Sequence, residues 1–341
     1  MTIVVTGSLA YDYIMSFPGY FKDHILPDKI EYLSVSFLVD SMRRQRGGCA
    51  GNIAYSLALL GLRPRIMGTV GQDFEDYRRW LEAQGVDTSG IVAFPDEFTA
   101  SFFVSTDLAS NQIASFYTGA MSRAASLSFK HQRLDDVELV VISPNDPRAM
   151  VAYARECQEL GLPYLYDPSQ QIVRLSGEEL IEGTRGARLL VVNDYEFEMM
   201  KNKTGLSEEG LLALTPTVVI TRGERGSTII DQGRVIPIPI APPVCAAEPT
   251  GVGDAYRAGL ILGLIRGYPW EVAGRLGSLA ATYALEQCGT QNHRFTLAEF
   301  VARYRQTFGD APELQDLLAM HQGNQPQGAD ECLERTLTSK T

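Results

Sequence analysis

Cysteine is scarce and forms no pattern. The five residues Cys49, Cys157, Cys245, Cys288 and Cys332 contain no C-x-x-C pair and are odd in number, which speaks against a disulfide framework and for reduced thiols in a cytoplasm. Basic charge is also short. With 30 Lys and Arg against 41 Asp and Glu, the formal net charge is −11, a balance that favours solubility and argues against nucleic acid or an anionic membrane as partner. The densest basic patch, Arg43, Arg44 and Arg46, reads as a solvated face or a phosphate contact. No long apolar run exists: "AGLILGLIRG", residues 258 to 267, is far too short to span a bilayer. The opening "MTIVVTGSLAYDY" lacks a basic leader and meets Asp12 early, so a soluble cytoplasmic protein is expected. Two nucleotide signatures are missing as well. "TGSLAYDY" offers one glycine where a dinucleotide fold needs G-x-G-x-x-G, and there is no G-x-x-x-x-G-K-[ST], which speaks against a nicotinamide dehydrogenase and a P-loop enzyme. Internal repeats are absent too.

What is present is ordinary globular composition, 45% hydrophobic and 21% charged over 341 residues, enough for one large domain or two modest ones. Short β-branched runs alternate with amphipathic segments, the pattern of a parallel sheet covered by helices. "TIVVTGS" reads as the first strand. "AGNIAYSLALLG", residues 50 to 61, reads as a helix with Ile53, Leu57 and Leu60 on one face, and "PRIMGTVG" as the next strand. Further strands are expected at "ELVVIS", "LPYLYDPS", "RLLVVN" and "PTVVITRG", with helices near Asp146 to Leu160, Gly177 to Gly183 and Asp194 to Lys203. Three stretches break the alternation: residues 31 to 42, 98 to 107 and 111 to 119 look extended with no helix between them. They predict a small antiparallel accessory sheet suited to a lid. The reading is a discontinuous catalytic domain over 1–12, 45–95 and 120–321, a lid over 13–44 and 96–119, and a polar, frayed tail from 322 to 341.

The richest segment chemically is "EPTGVGDAYRAG", residues 248 to 259. Gly251 and Gly253 let the backbone turn tightly into a helix whose first amides point outward with the positive end of the dipole behind them. Asp254 stands there as a bare carboxylate, placed to take a proton from a hydroxyl while the amides of Gly251, Val252 and Gly253 stabilise a transferred phosphoryl group. Alternatively it is simply an acid in a favoured first turn. "TRGERG", residues 221 to 226, follows a strand, and its glycines either admit a nucleotide's phosphates or make a hairpin turn. "NDYE", residues 193 to 196, offers Asn193 and Glu196 one helical turn apart, either a water-mediated magnesium pair or an N-cap. All three clusters end predicted strands, where open α/β sheets bind ligands. Near the N-terminus, Gly7, Ser8 and Asp12 follow strand one and "GGCAGN", residues 47 to 52, opens a helix; Asp12 accepting two sugar hydroxyls, with Asn52 donating and Gly47 and Gly48 admitting the ring, accounts for the cluster, as turn and cap roles also would.

Together these residues resemble the ribokinase family of carbohydrate and nucleoside kinases, with its "GG" and "TGxGD" signatures. More narrowly, "DYIMSFPGYF", "SVSFLVD", "QIASFYTGAMS", "DPSQQ", "NDYEFE", "PTGVGDAYRAG" and "GTQ" at 289 to 291 are similar, in order, to adenosine kinases of the mycobacterial type. The resemblance implies an α/β Rossmann-type layered sheet with helices on both faces plus a β lid, ATP and Mg2+ as co-substrates, and transfer of the γ-phosphoryl group to the ribose 5′-hydroxyl of adenosine. It places Asp254 on the catalytic base and the Gly251, Val252 and Gly253 amides on the anion hole. Asn193 and Glu196 fall on the magnesium motif, and Asn193, Thr221, Arg222, Gly223 and Gly226 on the nucleotide segment. Ser8, Asp12, Gly48 and Asn52 match ribose-binding positions, Ser36, Gln170 and Gln171 face the nucleoside, and Phe102 and Phe116 are lid aromatics against adenine. Relatives of this type pair as homodimers through the lid, and some use K+. Two departures stand out: Glu248 where aspartate is usual, six residues before the base, and Tyr256 where phenylalanine is usual. A sugar kinase of the same fold, acting on ribose or fructose, is the main rival, and an aromatic pair suits a planar base better than a lone sugar. A binding module without catalysis would have no use for Asp254.

Overall fold

The computed structural model describes residues 2–323, so the predicted tail lies almost wholly outside the described residues. Among the described residues, thirteen strands build two sheets and ten α-helices pack against them or join them. The first six strands in chain order are β1 (Thr2–Thr6), β2 (Ala10–Ser16), β3 (Ser41–Gly47), β4 (Pro64–Gly71), β5 (Asp87–Phe94) and β6 (Ala100–Thr106). The remainder are β7 (Gln112–Tyr117), β8 (Val137–Ile142), β9 (Tyr164–Tyr166), β10 (Leu189–Asn193), β11 (Thr217–Thr221), β12 (Ser227–Asp231) and β13 (Arg234–Ile238). The large sheet runs β13-β12-β11-β10-β9-β8-β1-β4-β5, parallel from β5 to β11 and antiparallel at the last two strands. The small sheet runs β3-β2-β6-β7.

Alternation along the central strands feeds two cores. Ile3, Val5, Leu139, Val141, Leu189 and Val191 enter one apolar cluster, while Val4, Val140, Ile142, Leu190 and Val192 enter the other. The helices, numbered in chain order, are α1 (Cys49–Leu59), α2 (Glu75–Ala83), α3 (Pro147–Leu160), α4 (Gly177–Thr184), α5 (Asp194–Thr204), α6 (Glu208–Leu212), α7 (Val252–Arg266), α8 (Trp270–Leu285), α9 (Leu297–Phe308) and α10 (Glu313–Gly323). The first cluster takes Ile53 and Leu57 of α1, Leu260 of α7, Leu276 of α8 and Phe300 of α9. The second takes Met150 and Tyr153 of α3, Leu180 of α4 and Met200 of α5. Local signals start several of these helices: Asp146 caps α3 through the Arg148 amide, and Ser176 and Asn193 open α4 and α5 with reciprocal capping boxes. Among the described residues, no helix is long and apolar enough to cross a membrane.

Two expectations change. The segment 31–42 is not a strand: a 3-10 turn over Pro27–Tyr32 gives way to irregular backbone, and β3 begins only at Ser41. The edges of β2 are already occupied by β3 and β6, and Phe37 packs instead among Phe17, Phe21 and His24. Its alternating sequence reports alternating exposure without a ladder. The accessory sheet is also mixed rather than antiparallel, because β2 and β6 run parallel.

Behind α1 lies a fully buried histidine. His293 Nε2 sits 3.2 Å from Ser56 Oγ, and the Tyr55 hydroxyl donates to the His293 carbonyl at 2.6 Å. Burial pulls its pKa down to about 4 from the ordinary 6.5. The fold therefore holds the neutral ring, and the unfolded chain takes up the proton first as pH falls. Stability present above pH 6.5 is expected to be lost between 6.5 and 4, by up to about 3 kcal/mol. Urea midpoints across that range check this: His293→Gln should flatten this component of the pH dependence.

Candidate active site

The site forms where the carboxyl ends of β1, β9, β10 and β11 meet the inner face of the small sheet, around a cavity of about 490 Å³. One wall is the opening turn of α7. Gly251, its N-cap, adopts φ +81°, a left-handed conformation that glycine reaches without strain, and no side chain caps the helix. Gly251, Gly253 and Asp254 line the cavity; Val252 does not, and its N–H turns back toward the Pro249 carbonyl at 3.4 Å. Asp254 is partly buried and its Oδ2 accepts a hydrogen bond from Asn52 Nδ2 at 2.8 Å. Burial raises its pKa, and the Arg257 charge with hydrogen bonds from Asn52 and Cys49 pull it back.

Asn52 is itself fixed from behind, its Oδ1 accepting from Gln291 Nε2 at 2.8 Å. It thus serves the carboxylate of Asp254 as well as facing the cavity. Cys49, at the start of α1, lines the cavity beside it, one turn earlier on the same helix face. Ser8 caps that helix from outside: its Oγ accepts the Cys49 N–H at 3.0 Å and its carbonyl accepts the Ala50 N–H at 3.0 Å.

The lid supplies the opposite wall through its register. Asp12 on β2 stands beside Phe102 on β6, which stands beside Phe116 on β7, so the three share one face of the sheet and line the cavity. Phe103 points the other way and stacks on Tyr13 at 4.7 Å. The Asp12 carboxyl is pushed up to about 6, first by burial and then by the nearby charge of Glu248. Glu248, the residue longer than usual by one methylene, accepts the Gly289 N–H at 2.8 Å and so ties the loop before α7 to the one after α8.

At the ends of β10 and β11, Thr221, Asn193 and Glu196 line the cavity. Asn193 and Glu196 form the capping box of α5, with Asn193 Oδ1 accepting the Glu196 N–H and Glu196 Oε2 accepting the Asn193 N–H, both at 2.8 Å. The other oxygen, Glu196 Oε1, accepts from Ser169 Oγ at 3.2 Å. Gln170 and Gln171 line the same side, Gln171 nearly buried.

Besides Val252, four predicted residues are not brought into this cavity. Ser36 lies exposed on the irregular segment before β3. Arg222 faces an adjacent groove with Asp194, Tyr195 and Arg225. Gly223 opens a 3-10 turn between the antiparallel β11 and β12, and Gly226 closes it, where a Cβ would strike the Ile238 carbonyl. The hairpin reading of "TRGERG" is what the backbone adopts. Conversely, the cavity includes residues sequence reasoning did not assign, among them Cys49, Thr290 and Arg257. Arg257 follows Asp254 by one helical turn and forms a buried ion pair with Asp167, Nη2 to Oδ1 at 2.6 Å and Nε to Oδ2. The i, i+3 spacing on α7 is the one sequence signal that could have found it.

Comparisons with known proteins agree with this architecture. The pattern of the pfkB family carbohydrate kinases matches residues 4–296. A nucleoside kinase of Methanothermobacter thermautotrophicus is 31% identical over 92% of this chain and 98% of its own. A nucleoside kinase of Burkholderia thailandensis, solved in complex with inosine, is 37% identical with a TM-score of 0.81, covering 91% of this chain and 99% of that one. A ribokinase of Thermotoga maritima, 19% identical over 89% of this chain and 99% of its own with a TM-score of 0.75, shares the fold. With a family match that spans most of the described residues and a nucleoside kinase 31% identical over nearly its whole length, the chain belongs to the pfkB family of carbohydrate kinases, ATP-dependent phosphotransferases that act on hydroxyl groups.

Proposed function

We propose that this chain is a purine-nucleoside kinase, transferring the γ-phosphoryl group of ATP to the ribose 5′-hydroxyl of adenosine to give AMP. The observation that carries the reading is the row Asp12, Phe102, Phe116 across one face of the lid, with Asp254 on the facing wall. A carboxylate next to two aromatic rings matches a diol next to a planar base, the two recognition elements of a nucleoside. The nucleoside kinases of Methanothermobacter and Burkholderia support the same class. Asp12 accepts the sugar hydroxyls, which leaves the 5′-hydroxyl directed to Asp254. That carboxylate takes the hydroxyl proton as the acceptor oxygen bonds to phosphorus, and the amides opening α7 meet the charge on the equatorial oxygens. Bound Mg2+ would supply charge neutralisation to the phosphates. Among the described residues no group of three or more His, Cys, Asp or Glu stands ready to ligate a metal, so the fit is an oxygen site completed by water and phosphate, with Glu196 and Asn193 holding it. The outward face of the lid, with exposed Phe103, Ile113 and Tyr117, fits pairing with a second copy.

The test is ADP release with ATP and Mg2+, offering adenosine, inosine, ribose and fructose separately. Adenosine should be turned over with a kcat/KM at least about 10²-fold above ribose. Phe116→Ala, at an exposed position on the last strand of the lid, should raise the adenosine KM roughly ten-fold, as expected from losing one base-stacking ring, and leave any activity on ribose unchanged. Preference for inosine would keep the nucleoside class and change the base. Turnover of a free sugar alone would replace the reading with a sugar kinase and demote Phe102 and Phe116 to lid packing.

A further inference from the structure

The pair Asp167 and Arg257 has no role in the chemistry described so far. Asp167 follows β9, anchored by its N–H to the Ile142 carbonyl at 2.9 Å, and is 1% exposed; Arg257 is 7% exposed. One hydrogen bond, Nη2 to Oδ1, and a close ion contact of Nε with Oδ2 hold the guanidinium against the carboxylate at two points. Burying such a pair gains little stability over an apolar pair of the same size, so its value lies in what the fixed guanidinium faces. That leaves the third nitrogen. Nη1 lies against Gly253, 2.8 Å from where a Cβ on that glycine would stand. It therefore sits at the opening of α7, which no side chain caps. Among the described residues lining the cavity, Arg257 is the single cation, against the carboxylates of Asp12, Glu196 and Asp254. A polyphosphate donor entering that ring of carboxylates needs a fixed positive charge.

We propose that Arg257 is a catalytic residue whose Nη1 contacts the phosphoryl group in transfer, and that Asp167 is the positioning residue that aims it. In the step, phosphorus exchanges its bond to the bridging oxygen of ADP for one to the acceptor oxygen, and the hydroxyl proton goes to Asp254. Charge gathers on the three equatorial oxygens, where Nη1–H and the α7 amides converge. The same cation holds Asp254 toward its ionised form despite burial. Gly253 is explained as well, since any side chain there would displace Nη1.

The inference applies to whichever hydroxyl the wild type phosphorylates, so it survives a failure of the nucleoside assignment. Arg257→Gln, Asp167→Asn, the double variant and Arg257→Lys would be compared by kcat, acceptor KM and Tm. Arg257→Gln should lower kcat about 10²-fold with acceptor KM within a few-fold, since the lost contact is made in the transition state. It should also lower Tm, because Asp167 is left buried without its counter-charge. Adding Asp167→Asn should recover Tm through a neutral amide pair and leave kcat low. Arg257→Lys, which keeps charge at the site, should recover at least about ten-fold of the kcat lost in Arg257→Gln. Recovery of kcat together with Tm in the double variant, or a lysine variant no faster than the glutamine one, would overturn the proposal and make the pair scaffolding.

Discussion

Asp254→Asn is expected to lower kcat by roughly 10²-fold or more while acceptor KM changes little. The substitution is nearly isosteric, and its amide oxygen can still accept from Asn52 Nδ2, which now bonds Asp254 Oδ2 at 2.8 Å. The wall of the cavity therefore survives and the proton acceptor alone is removed. An unshifted aspartate is a weak base at neutral pH. Here burial raises the affinity of the carboxylate for a proton, and Arg257, Asn52 and Cys49 restrain that rise. The proposed base acts in its ionised form, so kcat should fall on the acid side as pH drops through this raised value. Removing a donor to the carboxylate, as in Cys49→Ala, takes a stabilising bond from the charged form and should move that acid limb to higher pH. Steady-state kcat across the pH range checks both statements. An unchanged kcat in Asp254→Asn would remove the base from the mechanism.

How much of this site could be read from the chain depended on whether the signal was local. Asp146, Ser176 and Asn193 announce helix starts within four residues, so α3, α4 and α5 fall where periodicity puts them. Phe102 and Phe103 must face opposite sides of a strand, and Phe102 turns to the cavity while Phe103 stacks on Tyr13. Asn193 and Glu196 follow the cap reading as a reciprocal capping box, and that box borders the cavity. What escaped was long-range. Arg257 reads as an ordinary polar residue in a helix, and its partner lies 90 residues away on a different element. Gly226 invites a phosphate reading, but its constraint is the carbonyl of Ile238 on a strand that returns later in the chain. Residues 31–42 carry an alternating pattern yet join neither outer strand of the small sheet before Ser41, and Phe37 instead packs among Phe17, Phe21 and His24. Local patterns specify elements, and the choice among their possible partners is made by topology.

Gly48→Ala should lower kcat/KM about 10²-fold although it adds a single methyl group. Gly48 has φ +88°, and an added Cβ would stand 2.5 Å from the Ser8 carbonyl oxygen, 2.7 Å from the Ala10 nitrogen and 2.8 Å from the Leu9 Cα. All three are backbone atoms of the turn joining β1 to β2, so no side chain can swing aside. Either α1 or that turn must move. The turn leads into the strand bearing Asp12, and α1 carries Asn52, which bonds Asp254. The substitution therefore separates Asp12 from Asp254, the two carboxylates proposed to hold the sugar and to take the proton. Left-handed strain alone costs about 1–2 kcal/mol, and a displacement on the order of 1 Å in a positioned site lowers rate about 10²-fold. Gly85→Ala provides the comparison. Gly85 also has a positive φ, +89°, but nothing lies within 4 Å of its missing Cβ. It should lose similar conformational stability and keep kcat/KM. Urea midpoints and kcat/KM for the two variants separate strain from misplacement. If Gly48→Ala keeps its activity as Gly85→Ala does, the close approach of α1 to the β1–β2 turn is not what sets the distance between Asp12 and Asp254.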